Sequence, residues 1–177
     1  MVPDKSAQDI SRAQATARVQ ATAEVEAIDC PAQPDPAFLA EIHKAGFTSS
    51  YEQNWDAQAM AEMLAMNGVC VHQFFAGFIM TRISFDVAEI LTFAIQPDQR
   101  GKGWGVALLK AAMLYAFEKG ASRMLLEVAP DREAALGLYR RAGFIRTGIR
   151  KNYYQGPDGK RDAILMETGL GTEPNFR

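Results

Sequence analysis

Two hydrophobic rhythms alternate along this chain from about residue 23 onward, and neither is present before it. Residues 1–22 consist largely of Ala, Gln, Arg, Ser and Asp, and the first aromatic residue is Phe38. That composition predicts a tail outside the core, either disordered or a loosely attached helix. "AEVEAI" (23–28) alternates apolar and acidic residues, as a half-buried strand does. "CPAQPDP" (30–36) is rich in chain breakers and reads as a loop. "AFLAEIHKAGF" (37–47) has helical spacing and ends near Gly46, and "WDAQAMAEMLAM" (55–66) predicts a second helix with Asp56 as N-cap.

The rhythm then changes. Residues 69–84 and 88–95 are rich in Val, Ile and Phe and predict strands. A glycine-rich segment follows and runs into a helix whose apolar stripe is Leu109, Ala112, Met113, Ala116 and Phe117, with Gly120 as its stop. "RMLLEVA" (123–129) is a short strand. "PDREAALGLYRRAGF" (130–144) is a compact helix that Asp131 can cap, with Ala135, Leu138, Tyr139 and Ala142 facing inward and Gly143 closing it. "FIRTGIRKNYY" and "RDAILMET" flank a Pro-Asp-Gly turn and predict a hairpin. This order of elements implies an α/β or α+β architecture, one mixed sheet with helices on its faces.

Composition narrows the function only a little. The 177 residues are 48% hydrophobic and 10% aromatic, enough for one well-packed domain. A net charge of −2 gives no basic field for nucleic acid. Cys30 and Cys70 form no CxxC pattern, and His43 and His72 have no partner at ligand spacing, so reduced thiols, structural or surface histidines and no metal site are expected. The first residues lack the apolar stretch of a secretory signal, and no apolar run is long enough to span a bilayer, so a cytoplasmic protein without membrane attachment is expected.

The segment "DQRGKGWG" (98–105) carries the first chemical signal. Gly101, Gly103 and Gly105 allow close backbone approach and positive φ. The N-terminus of the following helix offers unsatisfied N–H groups and a partial positive charge, and Arg100 and Lys102 add charge beside it. Such a turn either binds an anion, best a phosphate, or is a bare turn with no ligand. The P-loop pattern fails for want of Lys-Ser or Lys-Thr, and the dinucleotide pattern fails because Leu108 stands at its third glycine.

"RGKGWG" (100–105) resembles the [QR]-x-x-G-x-[GA] motif of the GNAT acetyltransferases. "LLEVAPDREAALGLYRRAGF" (125–144) resembles the next motif of that family. "IRKNYYQGPDGKRDAILM" (149–166) resembles the C-terminal signature of its RimI group, the ribosomal-protein-alanine N-acetyltransferases. "W-D-x-x-x-M" (55–60) looks like a variant of that group's early helix start. The resemblance covers about residues 23–168. It implies the GNAT fold, a single mixed, mostly antiparallel twisted sheet with splayed central strands and helices on both faces. The domain is then expected over 23–170, with 171–177 as a C-terminal tail.

The resemblance also implies site residues. Backbone groups of Phe93, Ala94 and Ile95, the loop Arg100, Gly101, Lys102, Gly103, Trp104, Gly105 and Val106, and Arg132 would hold acetyl-CoA as cosubstrate. Glu127 would take the proton of the acceptor amine, directly or through water, and Tyr139 would serve the departing thiolate. From the residues alone, Glu127 in its apolar strand is either paired, shifted toward its neutral form, or at a frayed end facing water, and Tyr139 could be an ordinary core tyrosine. Tyr153 and Tyr154 would wall a slot for a protein N-terminus, with ribosomal protein S18 as the expected acceptor. Two positions depart from the pattern: Arg132 and Thr92 stand where relatives often have Asn. Two rival readings remain, a GNAT enzyme for a lysine side chain or small amine such as a polyamine or antibiotic, and a non-catalytic acetyl-CoA-binding module.

Overall fold

The computed structural model describes residues 28–47, 55–156 and 159–172, together with 174 and 176. The predicted tail at 1–22, most of the strand at 23–28 and the Pro157-Asp158 turn lie outside the described residues. The chain then runs α1 (Pro36–Gly46), α2 (Ala57–Leu64), β1 (Val69–Phe74), β2 (Gly77–Ser84), β3 (Val87–Ile95), a 3-10 turn (Pro97–Gln99), α3 (Trp104–Glu118), β4 (Arg123–Val128), α4 (Glu133–Arg141), β5 (Ile145–Gly156) and β6 (Gly159–Gly169).

Local chemistry sets the helix starts. Asp35 accepts from the Ala37 N–H at 2.9 Å and Pro36 supplies the first residue of α1. Asp56 accepts from the Ala59 N–H at 2.9 Å, as its sequence position predicts. The same expectation fails at α4. There the N-cap position is Arg132, and the Asp131 carboxylate instead pairs with Arg161 at 2.8 Å. The Asp131 carboxylate, one residue before the cap position, is held by an ion pair to the neighbouring hairpin. At the other end α4 closes as predicted: Gly143 has φ +86° and the Phe144 N–H reaches back to the Tyr139 carbonyl at 3.0 Å.

The six strands form one sheet in the order β1-β2-β3-β4-β6-β5. Every pairing is antiparallel except β3 with β4, which α3 joins as a crossover. Helices cover both faces. One core packs α3 and α4 through Leu108, Leu109, Met113 and Leu136 against Ile79, Met124 and Leu126. The other packs α1 and α2 through Leu39, Ile42 and Met60 against Val71, Phe78 and Met80. The α3 stripe matches its predicted residues except Phe117, which is exposed, and Leu108 is buried in addition. Beyond the sheet, Phe176 packs against the first core.

A bulge in β3 positions the site. Ile90 pairs with Thr81 and Thr92 with Met80, so Leu91 is an extra residue on its strand. One inserted residue swaps the faces of everything after it. Ala88 and Ile90 point to the α3–α4 core, but beyond the bulge it is Phe93 and Ile95 that do so, while Ala94 joins the α1–α2 core.

Both histidines are structural. His43 is stacked on Phe47 at 4.2 Å and on Trp55 at 5.3 Å, and His72 meets Tyr115 edge-on at 5.2 Å. Burial pushes each ring's pKa down to about 4. Among the described residues no group of three or more His, Cys, Asp or Glu is arranged to hold a metal, and no helix is long and apolar enough to cross a membrane.

Candidate active site

The sheet opens where β3 and β4 part. Their parallel pairing runs only from Val87 with Arg123 to Ile90 with Leu126. Past that point Thr92–Ile95 keep their β2 partners on one edge and have no β4 partner on the other. Backbone groups on that free edge are available to a ligand. Which groups they are follows from a neighbouring bond: the Gln96 N–H donates to the Ala76 carbonyl at 2.9 Å. Residues alternate edges along an antiparallel strand, so Ala94 also bonds toward β2, and Phe93 and Ile95 present their backbone to the opening. Of the three predicted backbone positions, Ala94 is therefore turned away from the gap. Thr92 is buried on the same stretch, and its Oγ1 has no hydrogen-bond partner among the described residues.

The glycine loop closes the same end of the gap. Gly101 has φ +74° and Gly103, the N-cap of α3, has φ +92°, a region that residues with a Cβ avoid. Gly105 matters for space instead: a Cβ there would meet Leu138 at 3.3 Å, Ile95 at 3.7 Å and Phe93 at 3.9 Å. The bare first turn of α3 thus sits against both the splayed strand and α4. Val106 and Ala107 donate to the Gly103 carbonyl at 2.8 and 3.2 Å, which leaves the Trp104 and Gly105 N–H groups at the exposed helix start. This donor set suits an anionic group such as a pyrophosphate.

Side chains of this loop divide their tasks differently from the sequence expectation. Arg100 donates from Nε to the Ile95 carbonyl at 3.1 Å and from Nη2 to the Gly46 carbonyl at 2.6 Å. It ties the loop to β3 and α1, so its charge is near the anion site but two of its donors are engaged. Lys102 Nζ donates to Gln99 Oε1 at 3.0 Å on the surface. The Trp104 ring stacks on Phe74 at 4.4 Å, so what Trp104 offers a ligand is backbone. Arg132 lies at the start of α4, directly after β4.

Glu127 follows the last residue of β4 that pairs with β3 and so sits at the mouth of the gap. Met124, Leu126 and Val128 point into the α3–α4 core, so Glu127 points to the opposite face, that of α1 and α2. Of the three alternatives open to it in the sequence, pairing is realised: Arg150 Nη1 lies 2.8 Å from Glu127 Oε1. Burial and then the neighbouring Glu127 carboxylate push the Tyr153 pKa up. The Tyr153 ring lies under the Arg150 guanidinium at 4.3 Å and meets Tyr154 edge-on at 4.9 Å.

A second irregularity delivers those side chains. Arg150 pairs with Ala163 and Tyr154 with Arg161, so three residues of β5 stand opposite the single residue Asp162. Asn152 takes φ +57° in this bulge, and the Asp162 carboxylate accepts its N–H at 2.9 Å. Tyr139 approaches from the other side of the sheet. It is 6% exposed and packs beside Phe144 at 5.5 Å. Burial, then the neighbouring Tyr154, push its pKa well above the ordinary phenol value, so it keeps its proton. Glu127 and Tyr139 belong to opposite faces, and only a gap in the sheet lets both address one ligand.

The residues missing from the sequence expectation are Arg150 and Asp162. Both stand in the quoted "IRKNYY…RDA" stretch. An arginine at a fixed offset from a bulge-forming Asn-Tyr-Tyr was the available signal.

Residues 26–144 match the Acetyltransferase (GNAT) family. The [ribosomal protein bS18]-alanine N-acetyltransferase of Escherichia coli K12 is 37% identical over 91 residues, 51% of this chain and 62% of its own length. The chain thus matches about three fifths of the length of that curated relative. A Bacillus subtilis relative is 34% identical over 128 residues, 71% of this chain and 83% of its own. The crystal structure of the E. coli ribosomal-protein-S18-alanine N-acetyltransferase superposes with a TM-score of 0.72 at 26% identity, covering 82% of this chain and 94% of that one.

Proposed function

The chain belongs to the GNAT family of acetyltransferases, and on that premise we propose that it acetylates the N-terminal α-amine of a protein, with ribosomal protein S18 as the expected acceptor. One observation carries the reading. Glu127 stands on β4 where its pairing with β3 has ended, the buried Tyr139 belongs to the core on the opposite face of the sheet, and the glycine loop packs against the unpaired end of β3, an arrangement that supports both side chains serving one ligand. The relatives that act on ribosomal protein S18 supply the acceptor class.

Acetyl-CoA, when bound, supplies the thioester acetyl group. Gly101, Gly103, Trp104 and Gly105 hold its pyrophosphate with backbone N–H groups, Lys102 and Arg132 add positive charge nearby, and Val106, expected among the donors, has its N–H engaged by the Gly103 carbonyl. The Phe93 backbone and the Ile95 N–H, without a β4 partner, hold the pantetheine arm and the thioester carbonyl oxygen, the Ile95 carbonyl being engaged by Arg100. A protonated amine has no lone pair for attack, and Glu127 takes its proton, directly or through one water. Tyr139 donates its O–H to the sulfur as thiolate charge develops. Tyr153 and Tyr154, on the α1–α2 side, line the approach of the peptide. The amine attacks directly in a ternary complex. The acetyltransferase unit is taken as residues 23–170, acting in the cytoplasm.

The test is mass spectrometry of a peptide panel after incubation with enzyme and acetyl-CoA. The panel holds an S18-like Ala-led peptide, peptides led by other residues, and an N-blocked peptide with a free lysine. Acetyl gain confined to free α-amines supports the reading. Gain on lysine transfers the chemistry to side-chain amines, and no gain despite acetyl-CoA binding overturns it.

A further inference from the structure

Arg150 is the strongest feature of the site that the mechanism above leaves without a task. It lies on the exposed edge strand β5, where nothing in packing requires an arginine, yet its guanidinium sits 2.8 Å from the carboxylate that is to take the acceptor's proton. Three contacts fix it there: the Glu127 oxygen, the Tyr153 face at 4.3 Å, and the bulge that Asn152 and Asp162 hold in place. A second ion pair, Arg161 with Asp131 at 2.8 Å, anchors the same hairpin beside β4. The charged and titratable groups facing Arg150 are Glu89 on β3, Glu127 on β4 and Tyr153 on its own strand.

This arrangement has a consequence for the acceptor. A bare carboxylate at Glu127 would bind the incoming ammonium as an ion pair and thereby hold the proton on the nitrogen. Arg150 already compensates Glu127 through Oε1. A carboxylate has about four acceptor positions, so the other oxygen remains able to accept. The acceptor nitrogen arriving there finds a fixed positive charge a few ångströms away, which favours its neutral form. The guanidinium itself stays protonated at every working pH and cannot compete as base or nucleophile.

We propose that Arg150 is a positioning residue of the acetyl transfer: it aims Glu127 through Oε1, and its fixed charge lowers the acceptor amine's hold on its proton. The inference rests on the proposed acetylation of an amine at Glu127.

The experiment compares wild type, Arg150→Met, Arg150→Lys and Arg161→Met. Each is measured from pH 6 to 10 for kcat/KM of an Ala-led peptide, and of the same peptide led by β-fluoroalanine, whose α-amine is less basic. In Arg150→Met the rise of the profile moves up by about one pH unit, the low end of what a neighbouring charge does at a solvent-accessible site. Activity near pH 7 then falls about tenfold. The gap to wild type closes at high pH and shrinks for the less basic peptide, while KM for acetyl-CoA is unchanged. Arg150→Lys keeps the profile near its wild-type position. Arg161→Met, which breaks the other ion pair of the hairpin, lowers activity without moving the profile. Equal loss at every pH in Arg150→Met, or no loss, overturns the proposal while leaving the acetyltransferase reading intact. Absence of turnover by wild type on every amine overturns both.

Discussion

Replacing Tyr139 by Phe removes one oxygen from the centre of the site and nothing else. The ring keeps its contact with Phe144 at 5.5 Å, and the close of α4 is made by backbone, from the Phe144 N–H to the Tyr139 carbonyl. The cost to folding is therefore the loss of one neutral hydrogen-bonding group near Tyr154, about 1 kcal/mol, or roughly 2–4 °C in Tm for a chain of this size. The cost to catalysis is larger. Tyr139 holds its proton far more tightly than a thiol of pKa about 8.5, so complete transfer to the sulfur is uphill, and its benefit is a hydrogen bond to developing negative charge. Such a bond is worth about 1.5–3 kcal/mol, which at about 1.36 kcal/mol per decade is a loss of roughly 10- to 150-fold in kcat. Steady-state kinetics with saturating peptide should show that loss in kcat, with KM for acetyl-CoA within about twofold of wild type. A kcat within twofold of wild type would refute the placement of Tyr139 at the sulfur. A rise in KM alone would reduce it to a wall of the cofactor site.

Glu127→Gln keeps the shape and one acceptor oxygen for Arg150 but removes the base. A loss of about 100-fold or more in kcat is expected at pH 7 with acetyl-CoA affinity kept, read by single-turnover assay and calorimetry, and unchanged turnover would remove Glu127 from the mechanism. Gly103→Val forces a β-branched residue toward φ +92°, costing about 1–2 kcal/mol, so acetyl-CoA binding weakens about tenfold in isothermal titration; full affinity would show that the loop conformation is unimportant for the cofactor. The folded pKa values of His43 and His72 lie near 4, below their unfolded value of 6.5. Between these values the unfolded chain binds more protons, so their contribution is complete above pH 6.5 and is lost as pH falls toward 4. Each ring accounts for at most about 3 kcal/mol, and urea melts should give a midpoint that drops across this window; replacing His72 by Gln should flatten the slope.

Much of this protein is written in local sequence. Asp56 caps α2 because a short acceptor side chain precedes a helical stripe, and Gly143 ends α4 because positive φ is cheap for glycine alone. The glycine turn before α3 and the "LYRRAGF" helix are legible for the same reason: each is a contact between residues a few positions apart. Tertiary pairing decided the rest. The extra residue at Leu91 becomes a bulge only against β2, and it determines that Phe93 and Ile95, and not Ala94, turn their backbone to the gap. The gap exists because β4 leaves β3 after Ile90, which depends on a strand more than thirty positions further along the chain. Arg100 could be read as a phosphate ligand until Gly46 and Ile95 came within reach of it, and Asp131 as a cap until Arg161 did. Glu127 joins Arg150 across an intervening strand, β6. Sequence spacing specifies which residue types meet within a helix turn or hairpin. Which charges meet across strands depends on register, and register is settled only when the whole sheet and its two cores form together.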